Sequence, residues 1–236
     1  MLTCLVFHAV EDGPRKNFRS IRPSELEQHL RMISRRAVRV VNPESLGSLP
    51  PAGQNLLLTF DDATADHART VAPMLESFGL RAVFYVPTAA IGRPGRLSNE
   101  QVASLASRGH LVGSHSHHHK RLDQTDEGDV RRELRESADR IESLTGQRPV
   151  HFAAPGGAAS PAVGRALQAE GFQTCRTLAW GWNRTWDPLS IEAIPMTSIG
   201  AAALLTWSLH AKGEAVLKLL SRARPLAGSL SMTFHR

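Results

Sequence analysis

Short apolar runs alternate with amphipathic, helix-like segments along most of this 236-residue chain. The first run is 2–7, and later runs are spaced so that a helix fits between one run and the next. The later runs are 38–41, 56–60, 82–86, 111–112, 152–154 and 174–178. Strands separated by helices favour a parallel sheet with helical crossovers. The pattern predicts an α/β fold of about seven βα units, and periodicity alone does not separate a barrel from an open doubly wound sheet.

Several predicted helices carry recognisable ends. Pro23 suits the first turn of a helix, because proline lacks the N–H that such a turn leaves unpaired. Ser98 and Gln101 form a capping box, in which each side chain pairs with the backbone N–H of the other residue. Glycines that suit a C-terminal cap follow other helical segments. They are Gly79, Gly109, Gly146 and Gly171.

Composition and charge fit a single folded domain. Hydrophobic residues make up 42% of the chain and charged residues 21%, which is typical of a globular protein. The net charge of +6 raises the question of an anionic partner such as nucleic acid. The basic residues are spread along the chain, however, and those of 131–140 alternate with acids as on a salt-bridged helix face. No nucleic-acid-binding motif accompanies them, so no nucleic-acid partner is predicted.

The strongest candidate chemistry lies in two polar clusters. Asp61 and Asp62 follow an apolar run, at the C-terminal strand end where α/β barrels carry their active sites. Adjacent carboxylates repel unless a cation or a proton separates their roles. Further along, we expect His115 and His119 to lie on one side of a helical turn and to reach one ion, with His115 and His118 as an alternative pair. Each cluster also has a simpler interpretation: a helix N-cap for the acids and an exposed turn for the histidines.

These residues give the chain a specific resemblance to the polysaccharide deacetylase family, metal-dependent carbohydrate esterases that remove acetyl groups from sugars. The family's first motif, Thr-Phe-Asp-Asp-Gly, is matched by Thr59 to Asp62, with Ala63 in the glycine position. Its second motif is matched by His115, Ser116 and His119. The joint presence of both motifs with a third feature at 152–157 is hard to attribute to chance.

The resemblance implies a fold and a role for each matched residue. The fold is an incomplete (β/α)7 barrel, which forms a single catalytic domain over residues 1–198. Asp61 would act as general base, while Asp62, His115 and His119 would bind a divalent metal. Zinc suits this ligand set best, with cobalt and manganese as alternatives. The implied substrate is an acetylated glycan, for which N-acetylglucosamine units are expected.

The third motif of the family is only partly present. After the run 152–154, the backbone amide of Gly156 is the candidate donor to the oxyanion of the reaction, and Pro155 is a candidate substrate contact. An ordinary turn is the alternative interpretation. The family commonly has an arginine here that orients the base, but this chain has Ala153 or Ala154 at that position. We therefore expect another cation, from a different strand, to take the place of the arginine.

A catalytic acid is harder to place. The family's last motif supplies a histidine, for which the candidates are His210, inside an apparent helix, and His235, next to the C-terminus. His8 follows the first strand and either lines the same mouth or packs as a hydrogen-bonded core residue.

The segment 180–187 is rich in tryptophan and offers the best candidate sugar platform. Trp186 and Asp187 are the expected substrate contacts, because the family often has a tryptophan and an acid in its fourth motif. Alternatively, the segment closes one end of the barrel as core.

The remaining expectations concern the C-terminal residues, the two cysteines, the cellular location and the oligomeric state. Residues 199–236 resemble the helical tail of family members tied to exopolysaccharide synthesis and are predicted to pack on or next to the barrel, being too polar to span a bilayer. Cys4 and Cys175 lie in apolar runs and should be buried thiols. No signal-peptide pattern opens the chain, which predicts a cytoplasmic location if the chain is complete and an extracytoplasmic one if a leader was removed. The oligomeric state is not indicated.

Two functions from other classes also fit the sequence. One is a carbohydrate-binding relative with weak or no turnover, which the missing arginine and the unplaced acid favour. The other is a metal amidohydrolase that acts on a small non-sugar amide, since the same ligands would serve it.

Overall fold

The computed structural model describes residues 1–12, 19–36, 38–41, 53–157 and 159–197. Within these ranges, strands and α-helices alternate along the chain, joined by loops and short 3-10 or π-helical turns. The strands are β1 Leu2–Phe7, β2 Arg39–Val40, β3 Asn55–Asp61, β4 Val83–Val86, β5 Leu111–Ser114, β6 His151–Ala153, β7 Thr174–Arg176 and β8 Ile194–Pro195. The helices are α1 Pro23–Ser34, α2 Ala72–Ser77, α3 Asn99–Ser107, α4 Glu127–Thr145 and α5 Pro161–Ala169.

The strands form one curved sheet in the order β7-β6-β5-β4-β3-β1-β8, with β2 beside the first residues of β3. Every pairing between these strands is parallel. Ile191, just before β8, forms an isolated bridge with Arg176 on β7, which brings the two ends of the sheet together. The predicted incomplete (β/α)7 barrel is confirmed. The sequence missed β8, because two residues are too few to show a strand pattern.

The core has separate layers on the two faces of the sheet. Both β1 and β3 are buried along their whole length, as expected of parallel strands covered on both faces. Cys4 and Val6 of β1 join an interior cluster made mainly of strand residues, while Leu5 and Phe7 pack in a second cluster with helix residues. Full burial of an aliphatic side chain such as Leu5 contributes about 1.5–3 kcal/mol.

The predicted helix ends are confirmed where the structure describes them. Helix α1 begins at Pro23, and α3 begins with the capping box of Ser98 and Gln101. Helix α4 ends at Thr145 and is capped by Gly146, whose φ of 73° suits glycine. The acids and arginines of α4 form exposed ion pairs, for example Arg131–Glu127 at 3.0 Å, as expected of a salt-bridged helix face.

Some expectations fall at the limits of the described residues. Residues 199–236, including His210 and His235, lie outside them, so the predicted helical tail has no structural test. None of the helices that the structure describes combines the length and the hydropathy needed to cross a bilayer. Cys4 and Cys175 are free and buried, as predicted, and burial raises the pKa of each thiol to about 12.

The parallel arrangement brings the C-terminal ends of the strands to one edge of the barrel. Asp61 ends β3 and Arg176 ends β7, while His115 directly follows β5 and His8 directly follows β1. Four residues that are distant in sequence therefore meet at this edge, which is where parallel α/β barrels place their active sites.

Candidate metal and catalytic site

Three side chains converge at the C-terminal edge of the sheet in an arrangement that can hold a metal ion. Nε2 of His119 lies 3.3 Å from Oδ1 of Asp62 and 3.1 Å from Nε2 of His115. Nε2 of His115 lies 3.7 Å from the same Asp62 oxygen. These are the ligands that the resemblance implied, and the structure brings all three together.

The residues fit a tetrahedral cation in both spacing and donor chemistry. Zinc with ligands at about 2.0–2.1 Å in tetrahedral geometry requires donor atoms about 3.3 Å apart, close to the three distances observed. Nδ1 of His115 donates to the carbonyl of Ala153 at 2.7 Å, which leaves Nε2 of the neutral ring with its lone pair directed at the cluster. A carboxylate oxygen and imidazole nitrogens that face one another need a cation or protons between them.

The histidine segment 115–119 reaches this geometry as a loop and not as the helical turn that the sequence predicted. Ser116 and His119 have φ of 61°, a left-handed conformation that is uncommon outside glycine. The hydroxyl of Ser116 accepts a hydrogen bond from the backbone N–H of His119 at 3.0 Å and so ties the loop to itself. The pairing of His115 with His119 was predicted, but its physical basis is this strained loop.

Asp62 also occupies a strained backbone position. Its φ is 74° and that of Ala63 is 53°, which explains why the family motif has glycine at the second of these positions. The neighbouring segment 95–97 holds this turn: Nη1 of Arg96 donates to the Asp62 carbonyl at 2.7 Å, and the N–H of Leu97 donates to the Ala63 carbonyl at 2.9 Å. Such outliers persist only where surrounding contacts fix them, and they cluster at functional sites.

Asp61 is held by an arginine that the sequence analysis did not identify. Nη2 of Arg176 donates to Oδ2 of Asp61, and both side chains are buried. Arg176 stands beside Ala153 in the register of β6 and β7, so it occupies the strand next to the one where the family motif has its arginine. The expected replacement cation is therefore Arg176. The available signal was a charged residue inside the apolar run 174–178.

Two further residues fix the position of Arg176. Its guanidinium carbon lies 5.3 Å from the centre of the Tyr85 ring, a cation–π contact inside the barrel. The Tyr85 ring fits there because Gly113 faces it, and a Cβ at position 113 would lie only 2.6 Å from that ring. Glycine on β5 thus makes room for the tyrosine on which the arginine rests.

The surroundings of the site favour an ionised Asp62 beside a neutral His115 imidazole. Burial raises the pKa of Asp62, but the hydrogen bond from His119 and the charges of His8, His119 and His115 outweigh it and hold the pKa well below its usual range. Burial also lowers the pKa of His115 to about 4, although the Asp61 charge opposes this. Near neutral pH the cluster therefore offers one carboxylate and a neutral ring, the forms that bind metal.

His8 lies at the same edge as the two aspartates. The residue is 7% exposed, and its Nδ1 has no hydrogen-bond partner among the described residues. Burial lowers the pKa of its imidazole, and the charges of Asp62 and then Asp61 act against this. Its backbone carbonyl accepts a hydrogen bond from Nε2 of His67 at 3.0 Å. His8 is therefore buried within electrostatic reach of both aspartates, at the mouth predicted from the sequence as one of two alternatives.

Pro155 and Gly156 form a tight turn directly after β6, close to the carbonyl that orients His115. Gly156 has φ of 67°, and its neighbour Gly157 admits no side chain, because a Cβ there would lie 2.2 Å from Leu178. The N–H of Gly157 donates to the Ala154 carbonyl at 2.8 Å. The roles assigned to Pro155 and to the Gly156 amide remain predictions.

The tryptophan-rich segment shows mainly structural contacts. Trp182 is 4% exposed and packs in the core, and Asn183 exchanges backbone hydrogen bonds with Leu2 at the opposite end of β1 from the site. Asp187 accepts a hydrogen bond from the N–H of Leu189 at 3.0 Å, and Trp186 packs against the interior cluster. The described contacts join neither residue to the aspartates or imidazoles of the site, so their role as substrate contacts remains a prediction.

Comparison with known proteins places the chain in one family. The family model described as "Polysaccharide deacetylase" matches residues 49–175, more than half of the chain. The curated protein named "Putative polysaccharide deacetylase YxkH", from Bacillus subtilis strain 168, is 22% identical over 177 residues, which cover 73% of this chain and 62% of that protein. The chain thus spans about three fifths of the length of this relative.

Solved structures share the fold. The Streptococcus pyogenes deacetylase PplD in complex with acetate has a TM-score of 0.79 and 20% identity over 89% of this chain and 98% of its own. IcaB from Ammonifex degensii has a TM-score of 0.79 and 23% identity over 89% of this chain and 97% of its own. At these identities, the likeness establishes the barrel architecture.

Proposed function

Since the chain belongs to the polysaccharide deacetylase family, we propose that it is a metal-dependent hydrolase that removes acetyl groups from a glycan containing N-acetylglucosamine. The observation that carries the proposal is the convergence of Asp62, His115 and His119 beside an aspartate that is paired with Arg176. Asp62 is thus positioned to bind metal, while Asp61 is paired with Arg176 and remains for another role.

Asp62, His115 and His119 would hold the metal. The chemistry that a divalent cation supplies when bound is activation of water and polarisation of the acetyl carbonyl. The two imidazoles and the carboxylate suit zinc, and they also accept cobalt or manganese.

Asp61 would act as general base. Arg176 binds its Oδ2, while Oδ1 has no hydrogen-bond partner among the described residues and is the oxygen that could accept a proton from the attacking water. The ion pair fixes the rotamer of Asp61. Arg176 therefore removes one reason for a binding-only interpretation, the apparent loss of the cation that orients the base.

The leaving nitrogen must receive a proton when the C–N bond breaks, and His8 is the candidate donor among the described residues. Because burial lowers the pKa of its imidazole, His8 would donate this proton only after accepting the one that Asp61 takes from the attacking water. It lies at the C-terminal end of β1, the strand next to β3 and Asp61, and its Nδ1 is unpaired among the described residues. The backbone N–H of Gly156 is the candidate donor to the oxyanion.

The role of His8 can be tested with substrates that differ in leaving group. His8→Gln should slow the release of acetate from an amide by about 10²-fold or more. The same change should affect 4-nitrophenyl acetate much less, because nitrophenolate leaves without a proton. Equal losses on both substrates would contradict the assignment.

The central test of the proposed function is acetate release from N-acetylated chito-oligosaccharides by metal-stripped protein, before and after adding zinc, cobalt or manganese. Asp62→Ala serves as the control, since it removes a ligand from the cluster. Release that depends on metal and disappears in Asp62→Ala is the expected result.

Two other outcomes would redirect the proposal. If metal binds but neither these oligosaccharides nor their O-acetylated counterparts release acetate, a carbohydrate-binding role gains support. If small acetylated amines are hydrolysed and oligosaccharides are not, the chain is an amidohydrolase for small molecules.

A further inference from the structure

The histidine loop carries a second group of metal-binding side chains that the proposed function does not use. Nε2 of His117 lies 3.7 Å from Oε2 of Glu136 on α4, and a ligand atom of His118 lies within 4.8 Å of both residues' ligand atoms. We propose that His117, His118 and Glu136 form an auxiliary site for a transition-metal ion such as Zn²⁺, which joins this loop to α4. This inference does not depend on the deacetylase activity.

The backbone of the loop separates the two groups of ligands. Left-handed conformations at Ser116 and His119, each with φ of 61°, turn the chain sharply on either side of the pair between them. His115 and His119 therefore face Asp62, while His117 and His118 face α4. The same five-residue segment can serve two ions without sharing a ligand.

Each imidazole of the second group is oriented through its Nδ1, as metal-binding histidines usually are. Nδ1 of His118 donates to Oε1 of Glu133 at 2.8 Å, and the backbone N–H of His118 donates to the other oxygen of that carboxylate at 2.7 Å. Nδ1 of His117 lies 2.7 Å from the hydroxyl of Thr88. His118 is thus held with Nε2 available as a ligand, as His115 is, and His117 presents Nε2 in the same way when its Nδ1 donates to the Thr88 hydroxyl.

Burial and charge distinguish the two glutamates of α4. The side chain of Glu133 is 3% exposed and is also approached by Nζ of Lys120 at 3.5 Å, so it serves to orient His118. The side chain of Glu136 is 45% exposed and can move toward an incoming ion. Glu133 is a buried carboxylate on a largely apolar face of α4, and it holds His118 in position. A chance cluster of surface residues would lack such a buried partner.

The geometry also predicts how the two sites rank in affinity. The donor atoms of the catalytic cluster already have the spacing that a tetrahedral ion requires, whereas those of the second group must move closer together. His118 and Glu136 are also well exposed to water. We therefore expect the auxiliary site to bind Zn²⁺ at least about tenfold more weakly than the catalytic one.

The experiment is calorimetric titration of metal-free full-length protein with Zn²⁺ alone, combined with thermal unfolding. In the Asp62→Asn protein, which lacks the carboxylate ligand of the cluster with His115 and His119, one weaker binding step and a metal-dependent rise in Tm should remain. Adding Glu136→Gln should weaken that step by about tenfold or more, and Glu133→Gln should do so through loss of orientation. Glu142→Gln, an exposed glutamate of the same helix that pairs with Arg148, is the matched control and should change nothing.

The outcomes separate a built site from an accidental one. If Glu136→Gln and His118→Gln bind Zn²⁺ with the same stoichiometry and affinity as their parent, the proposal is wrong. Glu136 is exposed, so its replacement tests the site without threatening the fold. Failure of acetate release in the preceding experiment would leave this result unaffected, because the readout is binding and not turnover.

Discussion

The two adjacent aspartates are held by two differently built regions of the molecule. Asp61 belongs to the strand region, formed here by β3 and β7, where it is buried and paired with Arg176. Asp62 belongs to the loop region, formed by 62–65 and 115–119, where four residues adopt left-handed backbone conformations. In the strand region, the charge of Asp61 is paired with that of Arg176. In the loop region, Asp62 lies among metal-binding side chains that need a cation. This difference allows neighbouring carboxylates to perform separate tasks.

The largest expected effect comes from removing each carboxylate in turn. Asp62→Ala should abolish metal binding and lower the deacetylation rate by about 10³-fold or more, because a ligand is lost. Asp61→Asn should leave the metal bound while the rate falls by about 10²-fold or more, because only the base is lost. Metal content and acetate release, measured on the same samples, check both. Full activity in Asp61→Asn would remove the distinction between the two residues.

Breaking the ion pair of the strand region should have the next largest effect. Arg176→Met leaves a buried, unpaired carboxylate and should lower the free energy of unfolding by about 3–5 kcal/mol. Arg131→Met is a matched control, since Arg131 pairs with Glu127, both side chains are exposed, and loss of such a surface pair should cost less than about 1 kcal/mol. Denaturant unfolding measures both.

The double variant Asp61→Asn/Arg176→Met refines this result. It removes both charges together, so it should recover part of the stability that Arg176→Met loses. If Arg176→Met cost no more than the surface control, the strand region would not depend on the pair.

A pH titration tests a buried group of the strands away from the metal ligands. Burial lowers the pKa of His151, the first residue of β6, from 6.5 to about 4. The unfolded chain therefore binds a proton that the folded one excludes, so this contribution to stability is present above pH 6.5 and is lost as the pH falls toward 4. The loss amounts to at most about 3 kcal/mol.

His151→Gln should flatten the dependence of unfolding free energy on pH within that window, because glutamine does not titrate there. The variant can keep a hydrogen bond to the hydroxyl of Thr174, which lies 2.9 Å from Nδ1 of His151. Identical slopes in the two proteins would show that His151 is not the group responsible.

The smallest expected effect concerns Ala63 in the loop region. Ala63→Gly relieves a left-handed alanine, worth about 1–2 kcal/mol. It also loses a buried methyl group, worth about 0.8 kcal/mol, and gains freedom in the unfolded chain, worth about 0.4–1 kcal/mol. These terms nearly cancel, so stability should change by less than about 1 kcal/mol.

Gly146 provides a control in which an added methyl group introduces backbone strain and makes no packing contacts. Gly146→Ala at the end of α4 has φ of 73° and open space around the added Cβ, so it should destabilise by about 1 kcal/mol. A loss of more than about 2 kcal/mol in Ala63→Gly would mean that the methyl group, and not the backbone, controls this position.

The sequence predicted those features that local patterns encode. Hydrophobic runs and caps predicted the alternation of strands and helices, and two motifs identified the residues that converge as Asp62, His115 and His119. Arg176 could not be assigned, because its partner depends on the register between β6 and β7 and on closure of the barrel. The left-handed loop was missed for a related reason, since Ser116 and His119 adopt conformations that their residue types disfavour.

The ion pair between Asp61 and Arg176 also has a consequence for biogenesis, because 115 positions separate its members. At a synthesis rate of about 5–20 residues per second, Asp61 is made roughly 6–23 seconds before its counter-ion. A nascent barrel that lacks β7 has no guanidinium to neutralise this carboxylate, so closing around it would bury a lone charge. Arrival of β7 therefore removes an electrostatic obstacle to closure, so a strand that is made late in synthesis also supplies the partner of Asp61.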